Sequence, residues 1–413
     1  MITDFPASKR LRQNKRLFVS QISAFKKFVA ATLFGAQKGS AHFMLKVLMT
    51  GGGTGGHVNP AIAIADTIKR RSPDAEIAFV GTSRGIENKL VPKAGYPLHH
   101  VEIQGLRRKL TLSNLKTAYL TITSVSKAKK LLKAFQPDLV VGTGGYVSFP
   151  VIKAASTMGI PTALHESNAV PGMTVKLLER HLDLLFVNFE ESKQYLKYPD
   201  KALRVGNPLR SAIHINTNAK ETLGIAHKYR YFLLSCGGSM GAEPINLCML
   251  QLMKKYISRH PEILHVHASG SLEYEATKKL FEEEGLERFS NIRLCEYIYD
   301  MPLQMAAADL MINRAGSITL SELALTKKPC ILIPSPYVTN NHQYKNAKVL
   351  ADKGAAILIE EKDLDADVLA QKLDDLFSHR EKLHELSRRI GQTAVPDAND
   401  RIYDALMELL SKK

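Results

Sequence analysis

The sequence LKVLMTGGGTGGHVNPAIAIADTIKRR, residues 45–71, predicts the architecture of the chain. A short apolar run, 47–49, leads into the segment 51–56, which is glycine except for Thr54, and an amphipathic run follows. This order is typical of a buried strand, a tight turn and a helix, which we expect over 60–71. Glycine leaves no Cβ between the main chain and a ligand, and the helix N-terminus presents unpaired N–H groups. The segment therefore predicts a site for an anionic or oxygen-rich ligand, with His57 at its mouth able to take up a proton near neutral pH.

The glycines of this segment also satisfy G-x-G-x-x-G, which on its own is a weak indication of dinucleotide binding. A dinucleotide-binding fold further requires an acidic residue at the end of the second strand, where it holds a ribose. The predicted second strand, 77–80, ends in Gly81 and Thr82, and the acids Asp74 and Glu76 precede it. A nicotinamide-dependent oxidoreductase is therefore disfavoured, but it stays open as an alternative.

The length and composition indicate a two-domain globular protein with an anionic partner. A chain of 413 residues can form two domains with full cores, and its 45% hydrophobic content is ordinary. The four scattered cysteines predict reduced thiols of a cytosolic protein. A net charge of +16 suggests nucleic acid, a phospholipid surface or a phosphorylated substrate. Because no helix-turn-helix, zinc-finger or aromatic RNA-binding signature accompanies the charge, we expect no nucleic-acid partner.

Residues 1–43 differ in composition from the rest of the chain, with eight Lys or Arg and one acid, Asp4. The stretch 17–34 is compatible with a basic amphipathic helix at a membrane surface. The alternative, which we favour, is an upstream start codon, with the protein proper beginning at Met44. No targeting signal is recognisable in this extension.

From Met44 onward, predicted strands and helices alternate, which is typical of an α/β protein with parallel sheets covered by helices on both faces. A polar, turn-rich segment, 205–224, separates two halves that each open with a strand, a glycine turn and a helix. We therefore predict a first domain over 44–209, a second over 210–395, and an amphipathic C-terminal helix over 396–413.

Ligands of parallel sheets bind beyond the carboxyl ends of the strands. In the first half, the turn GTGG, 142–145, follows the predicted strand 138–141, and the tetrad HESN, 165–168, follows the predicted strand 161–164. We expect both segments to line one cleft together with the first glycine turn.

The second half contains two glycine turns suited to a diphosphate. One is Gly237–Gly241, and the other, Arg314–Gly316, follows the strand 310–313 and opens a helix. Two helix N-termini directed at one place can share the charge of a diphosphate. Glu322 lies one turn into the second helix, where a carboxylate can accept both hydroxyls of a ribose. The alternative is that T-L-S-E, 319–322, is a capping box that needs no ligand.

Two further segments carry polar side chains of the kinds that bind sugars or metals. The loop 334–343, PSPYVTNNHQ, is rich in amides that can bind sugar hydroxyls. Asp365 and Asp367 form D-x-D, a metal motif of some enzymes, but they precede a helix far from any glycine turn. We predict that they cap this helix, and we expect no metal site.

Seven motifs occur in the order GGGTGGH, GTGGYVS, HESN, VGNPLR, GGSMGA, RAGSITLSE and NNHQ-x-x-NA. With this combination the chain, from Met44 to its end, resembles the MurG family of N-acetylglucosaminyltransferases of peptidoglycan synthesis. The resemblance implies a GT-B fold, in which two Rossmann-like domains face each other across a cleft and the C-terminal helix crosses back to the first domain.

The resemblance further implies that the nucleotide sugar binds mainly to the second domain. Glu322 would hold the ribose, the backbone of Ile298 would contact the uracil, and Gln343 would bind the N-acetylglucosamine. The diphosphate would contact the glycine turns, a helix start and the hinge, at Ser239, Ser317, Ile318, Thr319, Leu320, Ser321 and Arg210. On the acceptor side, the first domain would close the site with Thr54, Gly55, Gly56, His57 and Asn168.

The family transfers its sugar with inversion, from an α-linked nucleotide to a β-linked product. The resemblance thus implies a general base, for which His57 is the first candidate and Glu166 the second. Helix N-termini would stabilise the departing UDP without metal or cofactor. Two positions depart from the family pattern: His342 stands where many relatives have a second glutamine, and Ser167 replaces the glutamine of the usual HEQN.

The acceptor of this family is lipid I, a polyprenyl diphosphate lipid, so the resemblance implies a membrane-facing surface on the first domain. The segment Leu106–Leu120 combines cations with leucines and a tyrosine, as expected at a bilayer interface; alternatively, its leucines pack in the core. We expect a peripheral protein on the cytoplasmic side of an anionic membrane that acts on UDP-N-acetylglucosamine and lipid I. A diacylglycerol glycosyltransferase and a non-catalytic sugar-nucleotide sensor are the remaining alternatives, and the HESN and GGYVS motifs argue against the former.

Overall fold

The computed structural model describes residues 44–103, 113–210 and 218–412, with the backbone alone over 113–122. The extension 1–43 and the first part of the basic segment, 106–112, lie outside the described residues. Residues Lys46–Lys413 form one compact unit. In the described ranges, no helix is both long enough and apolar enough to cross a bilayer.

The first half of this unit is built around a parallel sheet with the order β3-β2-β1-β4-β5-β6-β7. Its strands are β1 (Lys46–Thr50), β2 (Glu76–Gly81), β3 (Leu98–His100), β4 (Leu139–Gly142), β5 (Thr162–Glu166), β6 (Leu184–Val187) and β7 (Ala202–Arg204). The helices between them are α1 (Gly55–Arg71), α2 (Glu87–Lys93), α3 (Ser113–Phe135), α4 (Ser148–Thr157) and α5 (Met173–Leu178). Val47 of β1 is paired with Ile77 on one side and Leu139 on the other, so the first glycine turn lies at the centre of the carboxyl edge.

The second half repeats this plan with a parallel sheet in the order β10-β9-β8-β11-β12-β13. The strands are β8 (Tyr231–Cys236), β9 (Ile263–Ala268), β10 (Ile292–Cys295), β11 (Leu310–Asn313), β12 (Cys330–Leu332) and β13 (Ile357–Leu358). The helices are α6 (Ala219–Thr222), α7 (Glu243–Lys255), α8 (Tyr274–Glu283), α9 (Met301–Ala307), α10 (Ser317–Leu325), α11 (His342–Asp352), α12 (Ala366–Ser378), α13 (Arg380–Gly391) and α14 (Ala398–Ser411).

Both faces of the sheets are covered, as β8 illustrates. Phe232 and Leu234 belong to one buried cluster, whereas Tyr231 and Leu233 belong to another on the opposite face. A strand that is buried on both faces reads as a continuous apolar run rather than an alternating one. The predicted α/β class with two parallel sheets is confirmed.

Helix α1 begins earlier than its sequence predicts. Its expected start was Pro60, the first residue of the amphipathic run, but the helix begins at Gly55, with Thr54 as the N-cap. Because glycine has about 1 kcal/mol lower helix propensity than alanine, the local pattern places the start after the glycines. Here Gly55 and Gly56 form the first turn, whose N–H groups have no intrahelical acceptor.

The C-terminal helix α14 packs against α1. It lies next to Leu209, in the segment between the two sheets that we call the hinge. Arg71 of α1 donates to Asp400 (3.2 Å) and lies over the ring of Tyr403 (4.4 Å). Asn399 both accepts from the N–H of Leu209 (3.1 Å) and donates to its carbonyl (3.0 Å). The last helix thereby ties the end of the chain to the hinge.

A buried chain of hydrogen bonds lies beneath the carboxyl edge of the second sheet. Ser235 Oγ is 2.8 Å from His265 Nε2 and 2.8 Å from His267 Nδ1, and His267 Nε2 is 3.0 Å from Asn246 Oδ1. Since an amide oxygen only accepts, His267 donates from Nε2, the Ser235 hydroxyl donates to His267 Nδ1, and His265 Nε2 donates to Ser235. Burial lowers the pKa of His267 to about 4, so both imidazoles are neutral in the folded protein.

We expect acidification to destabilise the protein through these histidines. Between pH 6.5, the ordinary histidine pKa, and about 4, the value of folded His267, the unfolded chain binds protons that the folded chain excludes. The stability present above pH 6.5 is therefore lost as pH falls, by about 1.4 kcal/mol per pH unit for each such histidine. Urea unfolding at pH 7.5 and 5 measures the loss. His267→Gln should show a shallower loss than the unsubstituted protein, and equal slopes would contradict the expectation.

Candidate active site

Two glycine turns interlock at the carboxyl edge of the first sheet. The chain after β1 approaches β4 so closely that a Cβ on Gly51 would lie 2.2 Å from Thr143 Oγ1. A Cβ on Gly145, whose φ is +80°, would lie 2.4 Å from the carbonyl oxygen of Gly52. Thr143 Oγ1 in turn donates to the carbonyl of His57 (2.7 Å). The structure thus brings the two turns into direct contact, and the contact requires glycine at both positions.

His57 is the third residue of α1, and its ring folds back over the first turn. Its Nδ1 lies 3.1 Å from the carbonyl oxygen of Gly52 and 3.3 Å from Thr54 Oγ1. Because a carbonyl only accepts, Nδ1 carries the proton and Nε2 carries the free lone pair. Burial lowers the pKa of His57, against the opposing effects of the Gly52 hydrogen bond and of Glu87. A neutral imidazole with an unprotonated Nε2 is the form that a general base requires.

The carboxylate of Glu166 is engaged in hydrogen bonds to its own loop. It accepts from the N–H and side-chain amide of Asn168 (2.9 and 3.0 Å) and from the N–H of Gly172 (2.8 Å). Burial raises the pKa of Glu166, and these hydrogen bonds oppose the rise. With both oxygens occupied, Glu166 shapes the loop, and the geometry favours His57 over Glu166 as the base.

Asn346 of α11 connects this loop to the second half. It is fully buried, its Oδ1 accepts from the N–H of Ala169 (2.8 Å), and its Nδ2 donates to Asn168 Oδ1 (3.1 Å). The motif NNHQ-x-x-NA contained this residue, but sequence reasoning assigned it no role. Its function follows from a contact between segments almost 180 residues apart, which local patterns do not reveal.

The start of α10 presents unpaired N–H groups at the carboxyl edge of the second sheet. The N-cap is Gly316, which has no side chain to occupy them, and the first intrahelical bond runs from Leu320 N–H to the Gly316 carbonyl (3.0 Å). The N–H groups of Ser317, Ile318 and Thr319 thus face outward along the helix dipole, which is the arrangement of an anion site.

The start of α7 is less suited to an anion than the sequence pattern suggested. Its first residue is Glu243, a negative charge in the first turn, and its second is Pro244, which has no N–H. Of the two predicted helix N-termini, that of α10 is therefore the better suited to an anion.

Glu322 lies in the second turn of α10 and has no capping role. A capping box would place Thr319 at the N-cap, but that position is Gly316 and Thr319 is the third residue of the helix. Within the described residues, no side-chain or backbone group forms a hydrogen bond or ion pair with the Glu322 carboxylate. Burial raises its pKa to about 7. A buried carboxylate is stabilised in its ionised form by hydrogen-bond donors, and Glu322 has none among the described residues. The two hydroxyls of a ribose would supply such donors.

Two other predicted donor contacts lie in the loops at the same edge. Ser239 is exposed in the turn after β8, and its carbonyl accepts from the N–H (3.1 Å) and hydroxyl (3.3 Å) of Ser271. The side chain of Ile298 is 6% exposed and packs in the core, so its backbone is held in place beside β10.

The amide-rich loop before α11 is organised by its own side chains. Gln343 Oε1 accepts from the N–H of Ser335 (2.9 Å), which leaves the Nε2 end of the amide for a ligand. His342 Nδ1 lies 2.9 Å from the carbonyl oxygen of Thr339. His342 is also close enough to Glu166 to lower the pKa of that carboxyl, so it lies near the contact between the halves.

Arg210 is not brought together with the other predicted residues. It is exposed, and its Nε lies 3.7 Å from Asp66 of α1. Asp66 is eleven residues beyond Gly55, so the ion pair lies about 16 Å along α1 from its N-terminus. It borders a cavity of about 580 Å³ between α1, the hinge and α14. A contact of Arg210 with a diphosphate stays a prediction that would require this ion pair to open.

The D-x-D motif has the structural role expected of it. Asp365 is the N-cap of α12, and its Oδ1 accepts from the N–H groups of Asp367 (2.8 Å) and Val368 (3.2 Å). The prediction of a cap is confirmed. Among the described side chains, no group of three or more His, Cys, Asp or Glu is arranged to hold a metal ion.

Comparison with known proteins identifies both halves. Residues 47–187 match the model of the glycosyltransferase family 28 N-terminal domain, and residues 232–402 match the model of the corresponding C-terminal domain. The structure is similar to the crystal structure of MurG from Acinetobacter baumannii, with a TM-score of 0.72, 28% identity and coverage of 88% of this chain and 99% of that one. A UDP-GlcNAc 2-epimerase from Neisseria meningitidis, at 18% identity and a TM-score of 0.60, covering 88% of this chain and all of its own, shares the fold alone.

Curated relatives cover nearly the whole chain. A protein of Acetivibrio thermocellus is 40% identical over 371 residues, which are 89% of this chain and 99% of the relative. A protein of Bacillus cytotoxicus is 38% identical over 371 residues, with coverage of 89% and 100%. Both are named UDP-N-acetylglucosamine–N-acetylmuramyl-(pentapeptide) pyrophosphoryl-undecaprenol N-acetylglucosamine transferase. With both domain models matched and identity at this level over full-length relatives, the chain belongs to the MurG family of glycosyltransferase family 28 and has the GT-B fold.

Proposed function

We propose that this protein transfers N-acetylglucosamine from UDP-N-acetylglucosamine to lipid I and so forms lipid II for peptidoglycan synthesis. The relatives named above carry this activity in their names at up to 40% identity. The observations in the structure that support the proposal are the neutral His57, with Nε2 unprotonated, at the carboxyl edge of the first sheet, and the open N-terminus of α10 at the carboxyl edge of the second.

The donor binds mainly to the second domain, 210–395. The unpaired N–H groups at the start of α10, with the exposed Ser239, take the diphosphate. Glu322, whose carboxylate has no hydrogen-bond or ion-pair partner among the described residues, accepts the two ribose hydroxyls. The backbone of Ile298 contacts the uracil, and the free end of the Gln343 amide contacts the sugar.

The acceptor enters from the first domain, 44–209. Its diphosphate lies against the interlocked glycine turns, where Thr54, Gly55 and Gly56 present the N-terminus of α1. Asn168, held by Asn346 of the second domain, closes the site between the halves.

The reaction is an in-line displacement with inversion. The acceptor hydroxyl oxygen attacks C1 of the sugar, its proton passes to His57 Nε2, and the bond from C1 to the phosphate oxygen breaks with its electron pair leaving on UDP. Charge therefore builds up on the diphosphate, where the N–H groups of α10 are already oriented. Losing one such pre-oriented donor costs on the order of 3 kcal/mol in transition-state stabilisation.

The test of this proposal is UDP release from UDP-N-acetylglucosamine with a soluble lipid I analogue, with diacylglycerol, and with no acceptor. We expect release with the lipid I analogue alone. Release with diacylglycerol would favour the other lipid glycosyltransferase, and binding of UDP-N-acetylglucosamine without turnover in any mixture would favour a sensor.

We further propose that the protein docks peripherally on the cytoplasmic face of an anionic membrane through the segment 106–120. Replacing Arg107, Arg108, Lys109 and Lys116 by glutamine should weaken binding to anionic liposomes by up to about 1000-fold at low salt, and it should lower transfer to full-length lipid acceptor. Each cation adds about 1 kcal/mol at low salt, and less as screening increases. Transfer to a soluble, short-chain acceptor should persist, because the cleft is unchanged.

A matched control replaces four exposed lysines of the second domain, Lys254, Lys278, Lys279 and Lys382, and so removes the same charge elsewhere. The comparison should be repeated in a chain starting at Met44, because residues 1–43 are the competing anchor. Equal binding to anionic and neutral liposomes in that shorter chain would exclude the segment as the docking site.

A further inference from the structure

A fully buried carboxylate lies directly behind the first glycine turn. Glu87, the first residue of α2, is 0% exposed. Its Oε2 accepts from the N–H of Gly53 (2.9 Å), and its Oε1 accepts from the N–H (2.9 Å) and hydroxyl (2.8 Å) of Thr82. Burial raises the pKa of this carboxyl, but these hydrogen bonds outweigh it and bring the pKa below its usual value. Glu87 is therefore ionised at neutral pH.

The peptide group that Glu87 binds is the one that His57 binds. The N–H of Gly53 and the carbonyl of Gly52 belong to a single peptide unit, whose N–H donates to Glu87 (2.9 Å) and whose carbonyl accepts from His57 Nδ1 (3.1 Å). A planar peptide unit thus connects a buried carboxylate to the imidazole of the proposed base.

The neighbouring residues make room for this arrangement. A Cβ on Gly52 would lie 2.6 Å from Glu87 Oε1, and a Cβ on Gly85 would lie 1.9 Å from Glu87 Oε2. On the other side, a Cβ on Gly144 would lie 2.7 Å from the His57 ring. Because these glycines have no side chains, the carboxylate, the peptide unit and the imidazole ring can approach within hydrogen-bond distance of one another.

We propose that Glu87 is a positioning residue that acts on His57 through the Gly52–Gly53 peptide. Its charge polarises the peptide N–H and thereby strengthens the carbonyl as an acceptor, because hydrogen bonds in a chain reinforce one another. The stronger acceptor holds the proton on Nδ1, orients the ring, and makes Nε2 a better proton acceptor, as outer carboxylates do for other histidines. This inference rests on the proposed role of His57.

The surroundings of His57 make this effect separable from others. Its ring contacts Thr54, the N-cap of α1, the Gly52 carbonyl from the turn after β1, and Gly144 from the turn after β4. Among the described residues, Glu87 is the charged side chain that shifts the pKa of His57, and it raises that pKa. Removing the charge while keeping the shape should therefore weaken the base without displacing it.

The substitution Glu87→Gln tests this in the full-length protein. We expect kcat with the soluble lipid I analogue to fall by up to about tenfold, the upper limit for a base weakened by about one pKa unit, and KM for UDP-N-acetylglucosamine to stay within about twofold. In a plot of rate against pH, the acid limb should move to lower pH. A weaker base has a lower pKa and is therefore already deprotonated at a lower pH. Damage to the fold would instead lower the rate without moving the limb.

The control is Glu179→Gln. Glu179 is also a buried carboxylate of the first domain, and it accepts from the N–H of Lys197 (2.8 Å), not from the glycine turn. The variant Glu179→Gln should leave the position of the acid limb unchanged. Glu87→Asp, which keeps the charge, should hold the limb nearer to its original position, and it serves as the informative variant if Glu87→Gln does not fold.

A direct readout is the pKa of His57, measured by NMR with ¹³C-labelled histidine and assigned by the signal that is missing in His57→Asn. It requires no turnover, so it separates this inference from the proposed function. A lower His57 pKa in Glu87→Gln supports the proposed action of Glu87 on His57 even if no transfer is found with any acceptor. An unchanged His57 pKa in the folded variant, or an equal change in Glu179→Gln, would overturn it.

Discussion

Replacing His57 by alanine is expected to lower the rate of N-acetylglucosamine transfer by about 100-fold or more, the usual contribution of a general base. In the proposed reaction the acceptor hydroxyl loses its proton as it attacks, and the free lone pair of His57 Nε2, whose ring is oriented by the glycine turn, takes up that proton. The affinity for UDP should change little, because the proposed donor contacts lie in the second half of the chain. Single-turnover rates and UDP titration measure the two quantities separately.

A matched control is His99→Ala, which removes an exposed histidine of the same domain. It should leave both rate and affinity unchanged. If His57→Ala lowers the rate and the affinity for UDP by the same factor, His57 serves binding or structure and the assignment of the base is wrong.

The second large effect is expected at Glu322. Glu322→Ala should weaken UDP binding by about 1.5–3 kcal/mol, the range for hydrogen bonds to a charged group. The carboxylate has a pKa of about 7 without ligand, and accepting two hydroxyls favours its ionised form. Binding of UDP-N-acetylglucosamine, whose diphosphate is esterified at both ends and does not titrate between pH 6 and 8, should therefore release protons, and its affinity should rise over this pH range. Calorimetry in two buffers measures this release.

Glu322→Gln supplies the control, because it keeps the size of the side chain and removes its titration. Its affinity for UDP-N-acetylglucosamine should be reduced and nearly independent of pH between 6 and 8. If the pH dependence persists in Glu322→Gln, another group titrates on binding, and the assignment of the ribose contact to Glu322 loses its support.

Most strands could be predicted from sequence, including β10 at the edge of the second sheet, whereas the edge strands β3, β7 and β13 could not. Strands such as β1 and β8 are continuous apolar runs followed by glycine turns, which is the strongest local signal of a buried parallel strand. The strands β3, β7 and β13 have two or three residues each and are largely half-exposed. Each of these strands lies at the edge of its sheet and pairs with a neighbour on one side only. Because their side chains are partly exposed, their sequences show little hydrophobic pattern.

The candidate site was predictable where a motif and its position coincide. The start of α10 and the position of Glu322 one turn later followed from a glycine turn at a strand end, and the structure places both as expected. Glu87 and Asn346 were missed because each acts on a segment brought near only by the fold. Arg210 shows the converse, since its motif implied a ligand contact while its side chain pairs with Asp66.

The measurement that tests the account most directly is the linkage of the transferred sugar. UDP-N-acetylglucosamine labelled with ¹³C at C1 is incubated with the lipid I analogue, and NMR follows UDP and the anomeric carbon together. The account predicts one β-linked disaccharide for each UDP released, and no UDP release without acceptor. An α-linked product, or UDP release that does not depend on the acceptor, would contradict it.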